Sequence, residues 1–215
     1  MKVGAIIVSQ ATSEFLEALM GIRREADVTI AIENRPNSPF VSFETMSETF
    51  TFIVNRAPLS YAQNINKGWR MLEGCDAILI ANSDIEVPKG WRKALETALE
   101  NEPEMGAVSL PLDQPLRQGG ISKVCPFVFT LVRTVAVTWA DVPADEDFVN
   151  YGTDIAISYL LHKAGWLHRY VNEGPGVAHH MSSGDKRSFK SGQEHERDAG
   201  VFARKFGDPN DFNHP

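Results

Sequence analysis

Cysteine is scarce in this chain: Cys75 and Cys125 are the only two among 215 residues. They lie far apart, form no metal-ligand spacing and read as free thiols of a reducing compartment, which excludes a disulfide scaffold. No apolar run approaches the length of about 20 residues that a membrane-spanning helix needs. The opening MKVGAIIVSQ turns polar too soon for a secretory signal, so a cytoplasmic protein, free or peripheral to a membrane, is expected. A basic excess is also missing. Lys and Arg number 21 against 28 Asp and Glu, for a net charge of −7. That argues against a surface built for nucleic acid, though not against a nucleotide held through a metal ion, because the cation supplies positive charge locally. Basic residues do gather late (Lys186, Arg187, Lys190, Arg197, Arg204, Lys205), but interleaved acids make this a solvated face. Repeats and low-complexity segments are absent.

What is present is an alternation of short β-branched runs and amphipathic segments, on a length that suits one domain with a real core. Lys2 to Val8 reads as a buried strand. Thr12 or Ser13 offers a helix cap, with Phe15, Leu16, Leu19 and Ile22 at helical spacing. Val28 to Ile32 and Phe50 to Val54 are further strands, separated by a polar, loop-like Asn37 to Glu48. A helix starts at Ser60, places Ala62, Ile65, Trp69 and Leu72 on one face, and stops at Gly74. After the strand in DAILIANSDIEVP come a helix from Lys89 to Asn101 and a strand from Met105 to Leu110. This half predicts a mostly parallel sheet with helices on both faces.

The second half differs. Pro111 to Gly120 is a Pro/Gly/Gln-rich loop, Val124 to Arg133 an apolar strand and Asp141 to Asp147 an acidic loop. A helix from about Gly152 to Ala164, strand-like His168 to Val171 and Gly176 to His179, and a helix from about Gln193 to Phe206 follow. The expected organisation is a single domain, with a nucleotide-binding half over 1–110 and an acceptor half over 111–215 that ends in the helix.

Four polar stations stand at strand or loop ends: Glu33-Asn34, Asn82-Ser83-Asp84, Asp154, and His179-His180. The carboxyl edge of an open α/β sheet is where such proteins bind ligands, and carboxylate oxygens suit hard cations, which suit phosphates. Each station also has a plain reading. Asn and Asp crowd ordinary turns, so Asp84 to Pro88 alone reads equally as a polar turn. Asp154 alone reads as a first-turn acid favoured by the helix dipole.

Taken in order, these segments resemble the family 2 glycosyltransferases, inverting enzymes of the GT-A fold. GAIIVSQ and TIAIENRP resemble that family's first βαβ unit; LSYAQNINKGW resembles its helix with Asn66 and Gly68 at the matching positions. ILIANSDIEVPKGW is similar to its DXD-type segment, DEDFVNYGTDIAISYLLHKAGW to its acceptor-side Glu-Asp helix, and GVAHHMSSGD to its metal-binding His strand. The likeness is segmental and covers most of the chain. Glu33 stands where the family has Asp, Asn82 replaces the first Asp of the DXD segment, Ser60 replaces a Gly, and Thr153 replaces the Glu before Asp154.

The resemblance implies a Rossmann-like mixed sheet and sugar transfer from a UDP-, GDP- or dTDP-linked donor. Asp154 would be the catalytic base. Glu33, Asn34, Asn66, Asn82 and Ser83 would contact the donor, and Asp84 with His179 or His180 would hold Mn²⁺ or Mg²⁺. A glycan, a lipid-linked sugar, a protein or a modified nucleobase are all acceptors compatible with it. Arg133 is a further candidate for the phosphate or acceptor side, though it reads more readily as a surface Arg at a strand end. The helix dipole would lower the Asp154 pKa. Two other readings are a GT-A-like binding module without turnover, for which Thr153 speaks, and a nucleotidyltransferase. Against the last, the loop after the first strand, SQATSEF, lacks a Gly-rich phosphate cradle and its Lys.

Overall fold

Alternate side chains of the first strand enter two separate cores, and this arranges the rest of the molecule. In the computed structural model, which describes residues 1–9, 14–40, 42, 44–111, 121–122, 127–138, 140–149, 152–172, 175–179 and 188–207, that strand is β1 (Val3–Ser9). It is followed by α1 (Phe15–Arg23), β2 (Val28–Glu33), β3 (Thr45–Met46), β4 (Phe50–Val54), α2 (Tyr61–Arg70), β5 (Ala77–Asn82) and β6 (Ile85–Glu86). Then come α3 (Trp91–Asn101), β7 (Met105–Ser109), β8 (Ile121–Ser122), β9 (Phe129–Arg133), α4 (Thr153–Lys163), β10 (Leu167–Tyr170), β11 (Ala178–His179) and α5 (Ser188–Phe206).

The main sheet runs β3-β4-β2-β1-β5-β9-β7-β10-β8. Its β4-β2-β1-β5 section is parallel throughout. Antiparallel β9 then separates this section from the parallel pair β7-β10, so the sheet is mixed. Val3, Ala5 and Ile7 meet α1 through Phe15, Ala18, Leu19 and Ile22, and share their core with Trp91 and Leu95 of α3. Ile6 and Val8 point the other way, into a core with Ala62, Ile65 and Trp69 of α2 and Ile157 and Leu161 of α4. Period-two burial on a strand with both faces covered explains the unbroken apolar run. Gly68 lets α2 approach closely, since a Cβ there would sit 2.9 Å from Ile6 carbons.

Several local expectations change. Thr12 and Ser13 lie outside the described residues, and the α1 N-cap is Glu14, without a side-chain cap bond. Leu16 is exposed rather than on the inner face. The expected loop before β4 contains β3, which pairs antiparallel with it. At α3 the cap comes from afar: the Glu25 carboxylate accepts from Gly90 N at 2.7 Å and Arg92 N at 3.1 Å. Such a cap cannot be read from adjacent residues. Strand β9 begins at Phe129 within the longer expected run, while 123–126 lie outside the described residues. Helix α5 starts five residues before Gln193. Arg133 serves structure: its guanidinium donates to Met105 O at 2.8 Å and to Leu99 O, one of the last carbonyls of α3.

Candidate active site

The register brings two of the stations to one edge. Ser9 at the end of β1 lies beside Glu33 at the end of β2, and Val8 lies beside Asn82 at the end of β5. The Glu33 side chain is fully buried. Its Oε2 accepts from Ser9 Oγ at 3.1 Å and its Oε1 from Arg35 N at 2.9 Å, with the Arg35 guanidinium 3.9 Å away. Asn34 braces the neighbouring loop. It donates to Leu59 O and accepts from Leu59 N, both at 2.9 Å, and accepts from Asn55 Nδ2 at 2.9 Å. Asn55 also donates to Asn64 Oδ1 at 2.7 Å and accepts from Lys67 Nζ at 2.8 Å. This amide network holds the ends of β2 and β4 against the start of α2.

Asn66 is buried and engaged with the acidic loop. Its Nδ2 donates to Ala144 O at 2.8 Å and Glu146 Oε1 at 2.9 Å, and its Oδ1 accepts from Ala144 N at 3.0 Å. All of these partners lie in the second half of the chain, so Asn66 fastens the two halves together.

The Asn82-Ser83-Asp84 segment is more than a turn. Asn82 N donates to Val128 O at 2.9 Å, Ser83 is buried, and Asp84 is half-buried. Directly after Asp84, β6 pairs antiparallel with β11, placing His179 opposite Ile85 and Ala178 opposite Glu86. The chain is thereby returned from its far end to the residue next to Asp84. His180 lies outside the described residues, and of His179 only the backbone lies within them. Among the described residues, no group of three or more His, Cys, Asp or Glu side chains forms a metal cage.

Asp154 occupies the first turn of α4, after Gly152 in the left-handed region at φ +79°. Its Oδ1 accepts from Ile155 N at 2.9 Å. Burial raises its pKa above the usual carboxylate value, and the backbone donors at the helix start offset this only in part. The dipole effect expected to lower it is therefore outweighed. Thr153 beside it is buried at 1% exposure, and its Oγ1 has no hydrogen-bond partner among the described residues.

Tyr61 ties the stations together and was missed in the sequence, where an aromatic on an amphipathic helix reads as core. It is the first residue of α2, after the Ser60 cap. Its N donates to Val149 O at 2.8 Å and its hydroxyl to Phe127 O at 3.1 Å. The pKa of its phenol is raised, chiefly by burial and further by the negative charges of Asp154 and Asp84.

The fold has solved counterparts. A GalNAc-T7 structure with UDP, GalNAc and Mn²⁺ matches at a TM-score of 0.67 and 11% identity, over 83% of this chain and 44% of that one. S. aureus TarS 1-349 matches at 0.61 and 12%, over 83% and 60%. The mannosyltransferase PcManGT from Pyrobaculum calidifontis, in complex with GDP-Man and Mn²⁺, matches at 0.65 and 16%, over 99% and 67%. The fold is GT-A. The chain spans less than half the length of the first of these proteins. No family model matches its sequence, and neither does any curated protein.

Proposed function

We propose that the chain is a metal-dependent, inverting glycosyltransferase that moves a sugar from a nucleoside-diphosphate sugar to an acceptor hydroxyl. The observation that carries this reading is the pairing of β6 with β11, which returns the far part of the chain to the residue beside Asp84, just past the end of β5. The parallel section of the sheet, with Glu33 and Asn82 at its carboxyl edge, suits a nucleotide. Two structures of similar fold were solved with Mn²⁺, one with UDP and one with GDP-Man.

The donor set fits a divalent cation. Asp84 would supply a hard oxygen ligand, and the pairing of β6 with β11 returns the backbone of His179 to its vicinity. Mn²⁺ or Mg²⁺ bound there would offset the charge of a departing diphosphate. Glu33, Asn34, Asn82 and Ser83 line the edge on which the nucleotide would lie, and Asn66 supports it through the 144–146 loop. Asp154 accepts the proton of the attacking hydroxyl. Its burial-raised pKa makes it a stronger base than an exposed carboxylate, and a general base of this kind contributes on the order of 10²–10⁴-fold. The 1–110 half would hold the donor and the 111–215 half the acceptor.

Thr153 favours a second reading, a sugar-nucleotide-binding module without turnover, because it stands where the resembling family has an acid. A thermal-shift panel of UDP-, GDP- and dTDP-sugars with Mn²⁺, followed by donor hydrolysis without acceptor, tests both. A melting-temperature rise with hydrolysis supports the transferase, and a rise without hydrolysis supports the binding module. No rise with any nucleotide rules out both.

A further inference from the structure

Helix α5 carries a carboxylate at a position that should be apolar. Asp198 shares one helix face with Val201 and Phe202, which pack with Phe148 and Ala156. Its side chain has 0% exposure. A buried charge is costly unless it is hydrogen-bonded, and here both carboxylate oxygens accept from one amide. Val149 N donates to both Oδ1 and Oδ2, each at 3.1 Å, while the half-exposed Arg197 guanidinium lies 3.5 Å from Oδ1. The carbonyl of the same Val149 accepts from Tyr61 N. One residue is thus gripped from α5 on its amide side and from α2 on its carbonyl side.

Val149 stands five residues before Asp154 in the chain. Gly152, the N-cap of α4, is packed so closely that a Cβ there would meet Phe148 ring carbons at 3.3 Å and Asp198 Cβ at 3.9 Å. The α5 face therefore reaches both Val149 and Gly152. We infer that Asp198 is a positioning residue for Asp154, holding Val149 and lying against Gly152, the N-cap of the helix that carries the base. The inference rests on the transferase reading for the role of Asp154, but the holding of Val149 stands apart from it. Ionisation of Asp154 is governed by burial and by amides at its own helix start, so Asp198 acts through geometry rather than through its field.

The test begins with residue-resolved amide exchange on the unmodified protein. The Val149 amide should be as protected as the interior amides of α4, and exchange at a loop rate would overturn the proposal. In Asp198→Asn, Nδ2 would face the Val149 amide in place of one acceptor. Exchange over 148–156 should then accelerate at least about tenfold while β1 and β5 stay protected, an opening confined to one local unit; unchanged exchange there would overturn the proposal. With whichever sugar nucleotide the unmodified protein hydrolyses, kcat should fall on the order of 100-fold, as misplacement of a reacting group by about 1 Å does. The donor KM and the pH limb of activity should stay in place. Asp154→Asn combined with Asp198→Asn should be no slower than Asp154→Asn alone. Full kcat in Asp198→Asn, or additive losses in the pair, would refute positioning. If the unmodified protein hydrolyses no donor, the transferase reading fails, and the exchange measurements still decide whether Asp198 holds Val149.

Discussion

Asn66 and Ala144 hold each other through two hydrogen bonds, Nδ2 to the Ala144 carbonyl at 2.8 Å and the Ala144 amide to Oδ1 at 3.0 Å. A side-chain amide here stands in for a strand partner and satisfies both polar groups of a buried loop peptide. Asn66→Ala would leave both without it. Unsatisfied buried groups cost about 1–3 kcal/mol each, so a loss of about 2–4 kcal/mol is expected in urea unfolding, with little change in the slope.

Asp84 has the opposite character, being half-buried at the sheet edge. Asp84→Ala should melt within a few degrees of the unmodified protein when no ligand is added, yet lose the Mn²⁺-dependent stabilisation by UDP- or GDP-sugars. Calorimetry with Mn²⁺, and again after EDTA, separates the two effects. Equal nucleotide affinity in the variant with Mn²⁺ would remove Asp84 from the metal site.

The start of α2 offers a local stability test. Ser60 Oγ accepts from Gln63 N at 3.1 Å, and Gln63 Oε1 accepts from Ser60 N at 2.9 Å, a complete capping box. Ser60→Ala should cost about 1 kcal/mol by denaturant melt. Because Tyr61 is the next residue, donor hydrolysis should also weaken if the helix start frays.

The strands and helices were legible because their signals are local. β1, β2, β4 and β5 follow from β-branched runs, and α2 from its cap and apolar spacing. The two-residue strands β3 and β6 were not: they exist only because β4 and β11 pair with them. At the site, Glu33, Asn82 and Asp84 could be placed on one edge once the strands were parallel. Tyr61 could not, because its significance lies in two carboxylates brought to it from other segments. Asp198 did leave a trace, an acid on the apolar face of a predicted helix, but only the fold supplies Val149 as its partner. Arg133, read foremost as a strand-end Arg, closes the end of α3, a partner only the fold supplies.

Asp154 allows stability and activity to be set against each other. Its folded-state pKa lies above the ordinary carboxylate value because burial penalises the charged form. The native state therefore binds this proton more tightly than the unfolded chain does. Its stabilising effect is fully present below the unfolded pKa, near 4, and is lost as pH rises through the raised folded pKa. At pH 7 the ionised group is a cost. Asp154→Asn resembles the neutral form and keeps an oxygen for the Ile155 amide. It should melt higher than the unmodified protein at pH 7, and this advantage should shrink towards pH 3–4, where both side chains are neutral. Donor turnover should nonetheless fall on the order of 10²–10⁴-fold. In the unmodified protein, the acidic limb of activity should lie above the usual carboxylate range. Paired melts at pH 4 and 7 with a pH–rate profile check both. A lower melting temperature at pH 7 would mean that the helix-capping bond outweighs the burial of charge, and a limb at the ordinary carboxylate position would exclude Asp154 as the titrating base.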